Sequence, residues 1–238
     1  MLLLTMTHQE VYSEIQKDLP NVQRWNEHRD STYHRMSLKV KKFPAHLFSE
    51  YVSPRKNRWL ITTRFFRKND FASTFGVLQH QNGIVLHQTF VHMQENSFST
   101  VCTFLPHFFE RYAERNKLNI KGFELIKYVV KNDCSFNIDR THELSGEKDR
   151  GREDNVHICM KNGVGFGYEV GNKHYLIKTF LTYDMTYGVQ RQTFESKKHE
   201  IIDLLDDSKP VPLPRLDSAL STIEEKDIEK LRRKLSIT

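Results

Sequence analysis

Along the first thirty residues Val11, Ile15, Leu19 and Val22 recur at spacings of four, four and three, which predicts a helix with one apolar stripe over about residues 8–30. Pro20 falls inside that stripe and is expected to end or kink the helix, because proline removes a hydrogen bond and clashes with the preceding turn. Residues 31–56 alternate through "HRMSLKVKKF" and continue as "PAHLFSEYV", which reads as a strand followed by a short helix before the loop "SPRKN". From Trp59 the period changes. "RWLITTRFF" and "FGVLQH" are rich in β-formers, Asn82-Gly83 is a hairpin signal, and "IVLHQTFVHM" alternates beyond it. "SFSTVCTFL" adds a strand with Phe98, Thr100, Cys102 and Phe104 on one side, and Pro106 suits the first turn of a helix, "PHFFERYAER". A second helix, "GFELIKYVVKN", follows.

The stretch 139–155, "DRTHELSGEKDRGREDN", has no aromatic residue and reads as a solvated loop. After it "NVHICMK", "VGFGYEV" and "HYLIKTFLT", separated by turns at Asn162-Gly163 and Gly171-Asn172, predict a three-stranded meander. Simple alternation groups Val156, Ile158 and Met160; Val164, Phe166, Tyr168 and Val170; and Tyr175, Ile177, Thr179 and Leu181. Gly165 and Gly167 leave a bare strip where a helix, a backbone or a ligand can approach. Beyond 195 the pattern turns helical ("KKHEIIDLLDD"), is broken by "KPVPLP", and closes in "STIEEKDIEKLRRKLSIT", which opens as a capping box and ends basic. The expected fold is α+β: antiparallel meanders with packed helices, a helical N-terminal segment (1–56), a central domain (57–195) and a helical C-terminal tail (196–238) joined by a proline-containing linker.

Composition narrows the function classes. The 36 Lys and Arg against 30 Asp and Glu give a net charge of +6, which favours polyanionic partners, RNA among them. The opening "MLLLTM" is too short for a signal segment, and no window approaches the ~20 apolar residues of a membrane span, so a cytoplasmic protein is expected. Cys102, Cys134 and Cys159 show no CxxC spacing and are expected to be buried thiols. His80, His87 and His92, or His157 with Cys159, lack a zinc motif, and "GVGFGYEVG" lacks the context of a phosphate loop. The phenylalanines, Phe65, Phe66, Phe104, Phe108 and Phe109 among them, are expected in the core, with base stacking the other use open to them.

On the "PHFFERYAER" helix, His107, Glu110, Arg111, Glu114 and Arg115 fall on one polar arc opposite Phe108, Phe109, Tyr112 and Ala113. His107 and Arg111 are one turn apart and can reach a single phosphate, and RNA cleavage through the 2′-hydroxyl needs only a base, an acid and an anion clamp. The same arc is also what an ordinary solvated helix face looks like.

This segment resembles the histidine-bearing helix HxxxRxxER of the small BrnT-like and RelE-like bacterial toxin ribonucleases, and "LIKTFLT" resembles their threonine-containing closing strand. The resemblance covers residues 104–182; those toxins are near a hundred residues long and lack the strands that here precede the helix. It implies a metal-independent ribonuclease or RNA-binding protein of prokaryotic or phage type. His107 would then be the general acid or base, Arg111 and Arg115 the phosphate clamp, and Thr179 or Thr182 a hydroxyl near the scissile phosphate. No cofactor or metal is called for. The other expectation, from a different class, is a non-enzymatic protein that binds a partner through its sheet face or its basic C-terminal helix.

Overall fold

The computed structural model describes residues 1–80, 83–92, 97–132, 137–140, 155–171 and 173–187, with a few positions between 191 and 198, all within one compact unit, Met1–Leu205. The expected C-terminal helical tail lies outside the described residues, as do Cys134 and most of the charged loop.

Among the described residues, four α-helices and nine strands make an α+β fold on one mostly antiparallel sheet. In chain order they are α1 (His8–Glu27), α2 (Asp30–Lys39), β1 (Ala45–Val52), β2 (Arg58–Arg67), β3 (Asp70–His80), β4 (Ile84–His92), β5 (Ser97–Phe104), α3 (Pro106–Arg115), α4 (Gly122–Asn132), β6 (Asn137–Arg140), β7 (Asn155–Cys159), β8 (Gly163–Gly171) and β9 (His174–Thr182). The sheet order is β1-β2-β3-β4-β5-β9-β8-β7-β6. Two antiparallel meanders meet where β5 and β9 run parallel over Val101–Phe104 and His174–Ile177.

Helices cover both faces. Phe108, Phe109 and Tyr112 of α3 and Leu125, Ile126, Val129 and Val130 of α4 pack on one face, against Leu60, Leu86, Phe104, Ile158, Ile177 and Phe180. Val11, Ile15, Leu19 and Val22 of α1 pack on the other, against Trp59, Ile61, Phe75, Val77 and Val101. The apolar stripe read from the sequence is therefore the buried stripe of α1. Asp18, in the same helix, is fully buried and accepts from Trp59 Nε1 (2.9 Å), Asn57 Nδ2 (2.7 Å) and Ser53 Oγ (2.6 Å), which ties α1 to the β1–β2 turn.

Several expectations need correction. α1 runs uninterrupted through Pro20, because Ile15, Leu19 and Val22 are buried on both sides of it and that packing offsets the lost backbone bond. The order over residues 31–56 is reversed: "DSTYHRMSLK" is helix α2 and "AHLFSEYV" is strand β1. Tyr33, buried against Phe65 and Phe71, fixes α2, while β1 is held by its full ladder to β2, from Ala45↔Phe65 to Val52↔Arg58. The stretch 1–56 therefore shares the central sheet. Residues 137–140 pair with β7 and make the second meander four-stranded, where a loop beginning at 139 was expected. A bulge beside Phe166 skips Lys178, so Thr179 pairs with Phe166 and Ile177 with Gly167. Tyr175 and Ile177 consequently lie toward α3, whereas Thr179 and Leu181 lie on the opposite face.

Of the two strip glycines, Gly165 receives a helix, whereas Gly167 lies against the backbone of β9, where a Cβ would collide with the Leu176 carbonyl oxygen. A Cβ on Gly165 would stand 3.3 Å from Phe108 Cε2 of α3 and 3.1 Å from Ile177 Cγ2, whereas one on Gly171 would meet nothing within 4 Å. Gly165→Val should therefore lower stability in urea unfolding by ~1–3 kcal/mol through overpacking under α3, with Gly171→Ala staying within ~0.5 kcal/mol of wild type. Equal stability of Gly165→Val and wild type would show that α3 does not seat there.

Candidate functional site

The residues singled out on α3 begin from a helix whose buried side is fixed by Phe108, Phe109 and Tyr112, so its other side faces solvent. His107 is there, its side chain about half exposed, with Nε2 at 3.3 Å from Arg111 Nε and Nδ1 at 3.5 Å from Glu110. Arg111 in turn donates to Glu114 at 2.6 Å. The structure thus brings His107 and Arg111 together, and places a carboxylate beside each. Arg115 is half-buried, with Nη1 shielded and without a hydrogen-bond partner among the described residues. The threonines are elsewhere: Thr179 lies on the face of the sheet opposite α3, opposite Phe166. Thr182, at the end of β9, engages Asp184, and that hydrogen bond holds the Asp184 carboxyl below its ordinary value. His107 and Thr179 therefore do not share a site in this arrangement.

A cavity of about 460 Å³ lies between α3 and α4 and is walled by Phe109, Ala113, Leu125 and Ile126 with Glu110 and Glu114 beside them. Lys121 is the one cation in its lining and is set against those two carboxylates, so the cavity offers little to a phosphate.

A basic region occupies the end of the sheet where β1 begins and β2 turns into β3. Residues 1–132 hold nineteen of the 36 Lys and Arg but only eleven of the 30 Asp and Glu, so the basic excess is in this half of the chain. Lys39 ends α2, Lys41 and Lys42 lead into β1, and Arg67 and Lys68 form the β2–β3 turn. That turn is bound to α2 through Asn69 N–H donating to Ser37 Oγ at 3.1 Å, which keeps these cations at one end. A pocket of about 170 Å³ opens at this end of the sheet, lined by His46, Thr62, Arg64, Phe66 and Lys131 among others, with no acidic residue among the described residues of its lining. The His46↔Arg64 and Thr62↔Thr74 cross-strand pairs put these groups on one face. Phe66 departs from the expected core assignment: it is half-buried, with the Arg64 guanidinium 5.1 Å from its ring centre, while Phe65, Phe104, Phe108 and Phe109 are buried. Reading "PAHLFSEYV" as a helix concealed this region, since only a strand puts His46 beside Arg64.

Under α1 the parallel seam holds a buried polar chain that the sequence did not reveal. His174 Nδ1 lies 3.1 Å from the His8 carbonyl, His174 Nε2 and His87 Nδ1 each lie 2.8 Å from Thr103 Oγ1, and His87 Nε2 lies 3.1 Å from the Gln79 side-chain amide. A carbonyl can only accept, so His174 carries its proton on Nδ1. Its Nε2 then accepts from the Thr103 hydroxyl, whose oxygen accepts from His87 Nδ1–H, and closing the chain requires the Gln79 amide to be turned over, so that its NH₂ rather than the Oε1 found 3.1 Å away faces His87 Nε2. Burial, with the neighbouring His174 adding to it, pushes the His87 ring down to about 3, and burial lowers His174 to about 4. Both rings are neutral near pH 7. A histidine and a threonine at alternate positions of two neighbouring strands were the only trace in the sequence, and twelve histidines hid it.

Cys102 and Cys159 are buried thiols, and burial pushes the Cys102 thiol up. Among the described residues no group of three or more His, Cys, Asp or Glu is placed to hold a metal ion, and no helix is long and apolar enough to cross a membrane. Comparison of the chain with protein-family models, curated proteins and solved structures finds no match.

The histidine chain makes stability depend on pH in a definite direction. Unfolded histidines take up protons below about 6.5 and the two folded rings do not, so stability is complete above 6.5 and falls as pH drops toward 4. The slope should approach ~1.4 kcal/mol per pH unit for each ring. Glu14, lowered to about 2 mainly by Arg55, adds its own loss only below 4.5. Urea unfolding from pH 7 to 4.5 should show this slope in wild type and about half of it in His87→Gln; a flat wild-type profile would mean that the rings are not buried neutral.

Proposed function

We propose that the protein binds RNA through the basic end of its sheet. The observation that carries this reading is the concentration of Lys39, Lys41, Lys42, Arg67 and Lys68 at the end of the sheet where a pocket lined by Arg64, Phe66 and Lys131 opens on the α4 face, Arg67 being paired with Asp70. Lysines and arginines on one end attract a phosphate backbone by counterion release, and a half-buried ring at the same place offers an unpaired base a stacking surface. Phosphate contacts would hold the strand and Phe66 would favour single-stranded over duplex substrate. The likeness of the α3 segment to toxin ribonucleases points to the same polymer.

Metal-independent cleavage is a second reading, favoured by one observation, the exposed His107 and Arg111 one turn apart. On that reading His107 moves the proton and Arg111 faces the phosphate, with Glu110 and Glu114 displaced from them.

Fluorescence anisotropy with a labelled single-stranded RNA separates these readings. Binding should weaken steeply with salt, and Lys41→Gln/Lys42→Gln should weaken it further and reduce the slope of log K against log salt by ~0.7 for each phosphate that is no longer neutralised. His107→Ala should leave binding unchanged and, if cleavage in EDTA is seen, abolish it. No binding at low salt would overturn the RNA reading in favour of a protein partner, and binding indifferent to Lys41 and Lys42 would overturn its placement at the basic end.

A further inference from the structure

The buried chain of Gln79, His87, Thr103 and His174 ends at the wall of a second cavity, about 300 Å³, between the first turn of α1 and the ends of β8 and β9. Its lining is His8, Gln9, Tyr12, Val170, Gly171 and His174. It shares no residue with the basic end, so it stands or falls separately from RNA binding.

Three rings shape it. The His8 ring stands edge-on to His174, with centres 5.5 Å apart and planes at 89°, and the Tyr12 ring lies 6.3 Å from His174 at 33°. His174 has both nitrogens bonded, so its ring cannot turn, and it is only 2% exposed. His8 and Gln9 lie on the exposed side of the lining, and neither side chain makes a hydrogen bond within the described residues. Among the described residues the lining contains no lysine, arginine, aspartate or glutamate.

This lining selects a class of ligand. A carboxylate or phosphate would find no fixed counter-charge, and a hydrocarbon would leave the His8 nitrogens and the Gln9 amide unused. An uncharged planar heteroaromatic ring can pack against the His8 and Tyr12 rings and pair at its edge with the Gln9 amide. The volume is at the small end for a ligand site and suits one such ring system. A buried hydrogen-bonded chain, rather than apolar packing, behind the wall gives His174 one fixed orientation, as binding sites require of the groups that support them. We propose that this cavity binds a nucleobase, with adenine the best match, because a glutamine amide can pair with both N6 and N7 of that base.

The test is a titration of the full-length protein with adenosine, followed by ¹H–¹⁵N correlation of the imidazole nitrogens, with uridine and inorganic phosphate as parallel probes. Adenosine should give saturable shifts at His8 and His174, with His174 keeping its proton on Nδ1, and should bind more tightly than uridine. Gln9→Leu should weaken adenosine about tenfold while the His174 resonances of the free variant stay at wild-type positions, which shows the wall intact. Absence of saturable shifts, equal responses to inorganic phosphate, equal affinity for uridine, or full affinity in Gln9→Leu would each overturn the proposal.

Discussion

The parallel pairing of β5 with β9 is the constraint on which the rest of the molecule depends, because over four residue pairs it joins two meanders that each could only be half a sheet. Parallel ladders are slightly less stable than antiparallel ones and are normally covered on both faces, and this one is. On one side α3 sits across the joint, with Phe108 over Phe104 of β5 and Phe180 of β9 and tight against Gly165. On the other, Thr103 of β5 hydrogen-bonds to His174 of β9 and His87 of β4, and His174 reaches the first turn of α1. A helix and a polar chain thus hold the same seam from opposite faces.

That division explains how the chemistry is distributed. α3 must turn its aromatic side inward to hold the seam, which leaves His107 and Arg111 outward in the company of Glu110 and Glu114. Exposed pairs of this kind contribute little to stability and reduce the positive potential of the helix face. The region richest in cations lies away from the seam, where the outer strands β1, β2 and β3 begin and turn. There Phe66 and the Thr62↔Thr74 pair stand on a face that the body of α4 does not fully cover.

Much of this architecture was legible in the residues. The stripe of Val11, Ile15, Leu19 and Val22, the β-rich run from Arg58, the proline-led α3 and the glycine-turned strands β7 to β9 each carry a local signal that tertiary packing then uses. What was not legible depends on distant partners. "AHLFSEYV" carries too weak an alternation to read as a strand until β2 supplies its ladder, and "HRMSLK" is helical because Tyr33 finds Phe65 and Phe71. The bulge at Lys178 turns Thr179 away from α3, and no spacing rule anticipates it. For the same reason the α3 arc could be read from periodicity alone, whereas the basic pocket and the histidine chain, each assembled from three or more elements, could not.

That RNA lies along the basic end of the sheet is tested most directly by ultraviolet crosslinking of the protein to a single-stranded RNA, followed by mass-spectrometric mapping of the attached peptides. Crosslinks are expected at Phe66 and in the peptides spanning residues 39–46 and 127–131. Crosslinks confined to α3 around His107, or none at all, would contradict that placement.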